Sequence, residues 1–113
     1  MMNMEKHAVT IEEVREAQEN LKTGITNHEN KQFNEAIDNF KKTASIHPRE
    51  VDHLKQLQQK LQSGGYKLQQ ESIAYMGCAA VHLNYLVQQL DEDQKGQVPI
   101  DESLSEIFKN WEE

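Results

Sequence analysis

Apolar residues return along this chain at steps of three and four, the spacing of one face of an α-helix. Residues 1–9 carry no such pattern and read as a frayed start. Thr10 then stands three residues before Glu13. That spacing makes a capping box, in which the hydroxyl accepts from an early backbone N–H and the carboxylate reaches back to the cap. Ile11, Val14, Ala17, Leu21 and Ile25 follow as one stripe, predicting a first helix over about 11–29. After the polar turn at 27–31, Phe33, Ala36, Ile37, Phe40 and Ala44 give the cleanest amphipathic pattern in the chain and predict a second helix. His47 and Pro48 end it, because the residue before a proline is pushed out of the α region.

Val51, Leu54, Leu57 and Leu61 predict a third helix, which runs to Ser63, Gly64 and Gly65. A fourth is predicted from about Tyr66 to Leu90, with Ile73, Met76, Ala80, Leu83, Val87 and Leu90 along a heptad-like seam. Heptad spacing also continues from Val51 through the double glycine to Tyr75, so one long helix is the rival reading. Two adjacent glycines cost about 2 kcal/mol of helix propensity relative to alanine, which favours a break. Residues 91–100 read as an acidic linker. Ser103 and Glu106 form another capping box, opening a short last helix on which Leu104, Ile107, Phe108 and Trp111 share a face. That face docks on the chain's own body or on a partner.

The expected fold is therefore all-α, built of antiparallel helical hairpins, with four main helices and a short C-terminal helix. Residues 1–9 lead in, 10–90 form the helical domain, 91–100 link, and 101–113 close the chain. At 113 residues this is one domain. Composition agrees: two prolines, five glycines and twelve glutamines leave few breakers and many good helix formers.

Residues 17–50 resemble a tetratricopeptide repeat. Gly24, Ala36, Phe40 and Pro48 stand at that family's offsets, Phe33 takes the place of its second-helix aromatic, and the segment from Gln32 to Phe40 is similar to its second-helix signature. The spacing has a physical reason. Small residues at 24 and 36 let two antiparallel helices approach, and Phe40 fills the gap. The chain departs from the pattern at Asn20, Thr23 and Asn27, where large residues are usual, and at Gln58 and Gln70, where a second repeat would want small ones. The resemblance implies a scaffold of stacked hairpins whose groove takes an extended or helical segment of another protein. Small bacterial members include chaperones of secretion-system subunits, similar to this chain in size and acidity.

Charge narrows the classes further. The formal net charge is −7, of which residues 91–113 carry −6, leaving the body nearly neutral. No basic stripe exists to meet a phosphate backbone, which speaks against nucleic acid. No apolar run is long enough to span a bilayer, and the start of the chain lacks a signal-like apolar core. The expectation is a cytoplasmic protein without membrane insertion. Cys78, the single cysteine, has no intramolecular partner for a disulfide.

Nothing in the chain suggests catalysis, a metal or another cofactor. His7, His28, His47, His53 and His82 lack metal-ligand spacing. Cys78 and His82 are the one thiol–imidazole pair at i, i+4, yet no Lys or Arg between Lys67 and Lys95 would lower the thiol's pKa. The expected function is non-catalytic: an adaptor or chaperone binding an amphipathic or extended segment of another protein. Phe33, Phe40, Tyr75, Tyr85 and Trp111 are the expected contact residues, since aromatics dominate interface energetics. Self-association through the fourth helix's seam overlaps with this. Two alternatives stand beside it. One is a small acidic inhibitor or immunity-type protein covering a basic site on a toxin or nuclease. The other is a helical bundle that uses His82 to bind a metal or small ligand.

Overall fold

The computed structural model describes residues 9–46, 51–99 and 104, with backbone only at 51–53. All the elements among them are helices: α1 (Ile11–Glu29), α2 (Phe33–Ala44), α3 (Val51–Gly64), α4 (Leu68–Gln88) and α5 (Glu92–Gln97). The α1 capping box forms as its sequence predicts. The Glu13 N–H donates to Thr10 Oγ1 at 3.1 Å, and the Thr10 N–H donates to Glu13 Oε1 at 2.9 Å. Three residues connect α1 to α2. Lys31 takes a left-handed φ of 63°, and the Gln32 N–H donates back to the Asn27 carbonyl at 2.8 Å. This tight reversal lays the two helices antiparallel.

The hairpin closes along small and polar positions. Val14, Ala17, Leu21 and Gly24 of α1 are buried, facing Ala36, Ile37, Phe40, Thr43 and Ala44 of α2. The Thr43 hydroxyl lies 3.2 Å from the carbonyls of both Ala17 and Asn39, so this buried hydroxyl has acceptors on both helices. Asn27, which departs from the repeat pattern, donates from Nδ2 to Asn39 Oδ1 at 2.8 Å across the same seam.

The chain breaks at the double glycine. Gly65 has φ +66°, a left-handed conformation that L side chains rarely adopt, and α3 ends there rather than running into α4. The fourth helix is shorter at both ends than its apolar run, starting at Leu68 behind a Gln70 side chain that accepts from the Lys67 N–H at 2.9 Å. It packs along both α1 and α2 to complete a three-helix core, while α3 lies on the flank against α2 and α4. Of the α4 seam, Ala80, Leu83 and Leu90 are buried within the body, Met76 and Val87 are half-buried, and Ile73 is exposed.

Two findings concern the region after α4. Residues 91–99, read from their charge as a linker, hold the short helix α5. Asp91 accepts from the Gln94 N–H at 2.8 Å while Gln94 Oε1 accepts from the Asp91 N–H at 3.1 Å, a capping box that charge counting passes over. Beyond it, Val98 and Leu104 are both buried and belong to the main core. The closing segment thus meets the chain's own body at Leu104. The rest of the expected last helix, with Trp111, lies outside the described residues.

Candidate interaction surface

From Ser72 to Leu90 no Asp, Glu, Lys or Arg occurs, in a chain where such residues make up 27%. A helix apolar on every side belongs in a core. Here α1 and α2 cover the inward side, where Ser72, Ala79, Leu83 and Leu86 have no exposed surface. The outward side keeps Ile73 at 41% exposure and Val81 at 52%. These two stand eight residues apart, about two turns or ~12 Å along the helix. Gly77, midway between them, is itself buried. Tyr66 and Leu68, just before and at the start of α4, are 42% and 40% exposed. Among the described residues, all the large apolar side chains that stand exposed therefore fall between 66 and 81.

The residues expected from sequence as partner contacts are placed differently. Phe40 is fully buried between α1 and α2, and Tyr75 is 6% exposed, so neither presents a ring to a partner in this conformation. The physical reason is shared. The Phe40 ring fills the space that Gly24 leaves, and burying either ring removes more apolar area from water than leaving it at a surface. Phe33 and Tyr85 are half-buried. The Phe33 ring lies 5.2 Å from that of His28, tilted by 58°. Trp111 is outside the described residues.

Polar groups around α4 tie it to its neighbours. His28 Nδ1 of α1 and the hydroxyl of Ser72, which is fully buried, lie 2.8 Å apart. Burial pushes the Tyr75 phenol above its usual pKa, and the nearby Glu71 charge adds to this. A hydrogen bond from Gln58 of α3 works in the opposite sense. Lys41 Nζ of α2 sits 5.4 Å from the centre of the same ring. Gln58, where a tetratricopeptide pattern would want a small residue, is thus the polar link between α3 and the core.

The chemistry-bearing residues do not assemble. His82 is 2% exposed on α4, and Cys78 is half-buried one turn before it. Among the described residues, no group of three or more His, Cys, Asp or Glu side chains stands where it could hold a metal ion. The acidic residues of α5 serve locally, Asp91 as the cap and Glu92 3.8 Å from Lys95. No helix of the described residues is long and apolar enough to cross a membrane.

Sequence alone hides the outward face because Ile73 and Val81 belong to a helix that reads as apolar throughout. The usable signal is the charge-free stretch of 19 residues in a chain with too few helices to cover it. Comparison of the chain with family models, curated proteins and solved structures finds no match.

Proposed function

We propose that this protein is a non-catalytic protein–protein interaction module that holds an apolar segment of a partner against the outward face of α4. The observation that carries this reading is that Ile73 and Val81 stand exposed on the outward side of α4, with Tyr66 and Leu68 exposed at its start. Branched apolar side chains left exposed on an uncharged stretch of helix are what a partner helix or strand can cover. The tetratricopeptide resemblance implies the same class of work, an adaptor or chaperone for a partner's helical or extended segment. A second copy is one form the partner can take. It would meet the Ile73–Val81 side, since Ala80 and Leu83 of the heptad-like seam already pack inside the body.

Site-specific photo-crosslinking tests the proposal. A crosslinker at Val81 is expected to give a defined protein adduct in cells, and one at Glu19, exposed on α1, is not. The adduct should disappear when Ile73→Lys is added and resist high salt, because an apolar contact is little screened. An adduct of twice the chain's mass identifies the partner as a second copy. Equal yields from Val81 and Glu19 would overturn the reading, and an adduct lost steeply with salt would favour the acidic inhibitor instead.

A further inference from the structure

We infer that α3 is a displaceable cover over a second apolar surface, on α2 and α4, and that this surface accepts an amphipathic helix of α3's own pattern. The inference rests on the reading of the protein as an interaction module and adds to it an internal occupant that competes with the partner. The helices α1, α2 and α4 lie along one another and close a core that includes Leu21, Phe40, Ala79, Leu83 and Leu86. The flanking α3 approaches α2 and α4 at only a few places. Its described side chains contribute Leu54 and Leu61 as buried residues and Leu57 as a half-buried one. Lys55, Gln56, Gln59 and Lys60 face solvent.

Among its described side chains, Leu54, Leu57 and Leu61 are the apolar ones that attach this helix of 14 residues, with Gln58 beside the Tyr75 phenol. Ordering that many residues opposes the attachment, so α3 belongs to the part of the molecule that opens first. The turn after it suits such motion. Gly65 is left-handed, and the space where its Cβ would stand is open to 4 Å, while the Tyr66 ring lies against the neighbouring Gly64. Release of α3 uncovers Tyr75, with Lys41 over its ring and Glu71 beside it. The pattern that fits is written in α3: apolar residues at i, i+3 and i+7, as Leu54, Leu57 and Leu61, and an amide at i+4, as Gln58, to meet the phenol. A partner helix carrying that pattern takes α3's place.

Two measurements on the full chain decide the matter. In hydrogen exchange at neutral pH, amides of Leu57–Gln62 are expected to be at least tenfold less protected than those of Leu83–Leu86. Equal protection, with α3 and α4 opening together, would overturn the inference. In the second, Leu54→Ala/Leu61→Ala frees the surface, and a labelled peptide of residues 50–65 supplies α3 in trans. The variant is expected to keep protection in α4 and to bind the peptide at least tenfold tighter than the parent, whose own α3 competes at high effective concentration. Loss of α4 protection, or peptide binding no tighter than in the parent, would overturn it. Val81→Lys, which removes the outward-face contact proposed above, leaves this peptide binding unchanged, so the two readings fail separately.

Discussion

Gly24 of α1 and Phe40 of α2 occupy one space between them. A Cβ built on Gly24 would lie 2.5 Å from Phe40 Cε1 and 2.8 Å from Cδ1, closer than real Cβ atoms come, with Asn39 Cβ at a tight 3.1 Å. The phenyl ring has no exposed surface and is boxed in by the core, so it has nowhere to swing. This glycine is needed for contact distance, since it sits mid-helix with ordinary φ.

Gly24→Ala should therefore destabilise the protein although alanine is the better helix former by about 1 kcal/mol. Overpacking of this kind costs roughly 1–3 kcal/mol, read as a lower midpoint in urea with an unchanged slope. Phe40→Leu removes Cε1, the closer of the two colliding ring atoms. In the Gly24→Ala background it should cost less than in the parent, giving a coupling of about 0.5–3 kcal/mol in a double-mutant cycle. Strictly additive effects would mean that the ring yields elsewhere.

The bond between His28 and Ser72 is a polar contact between α1 and α4. Ser72→Ala should lower stability by about 0.5–1.5 kcal/mol, the ordinary net worth of a hydrogen bond, because half-buried His28 can turn to water instead. Ser72→Val should cost more, since it adds a methyl group where the side chain has no exposed surface. Equilibrium unfolding of the two variants beside the parent separates the terms. Equal losses would show that the hydroxyl alone matters.

Tyr75 links stability to alkaline pH. Its pKa in the folded protein stands above the ordinary 10.0, chiefly through burial and then through Glu71. The folded state therefore holds this proton more tightly than the unfolded chain. The resulting stability is fully present below the unfolded value of about 10 and is lost as pH rises through the folded one. Tyr75→Phe should remove that part of the alkaline fall, so the gap between the two chains' urea midpoints changes above pH 10 and is constant from pH 7 to 9. The phenolate absorbance that the substitution removes should appear late in a spectroscopic titration.

The hairpin was the most legible part of this fold in the sequence. Thr10 with Glu13, the Phe33–Ala44 stripe and the small residues at 24 and 36 are local signals, and each depends on neighbours three to sixteen places away. The double-glycine break was legible for the same reason, since Gly65's backbone conformation is its own. The capping box of α5 was equally local but was masked by the charge around it. The interaction surface was the least legible. Aromatic character pointed to Phe40 and Tyr75, yet which side of α4 the bundle covers is a property of three helices together. Periodicity of one helix cannot report it.

Val81 and Leu83 bring that point to a measurement. They stand two residues apart on one uncharged helix, alike in chemistry, yet Val81 is 52% exposed and Leu83 has no exposed surface. Leu83→Ala should destabilise by about 2–5 kcal/mol, through lost burial and the cavity left among α1, α2 and α4. Val81→Lys should stay within about 0.5 kcal/mol of the parent, since a lysine on that side reaches water. If α4 were instead sheathed on both sides, the charge would lose its hydration, and Val81→Lys would fall with Leu83→Ala. A near-neutral Val81→Lys that also abolishes the adduct from a crosslinker at Ile73 would assign the outward face to binding, because stability would then have no use for it.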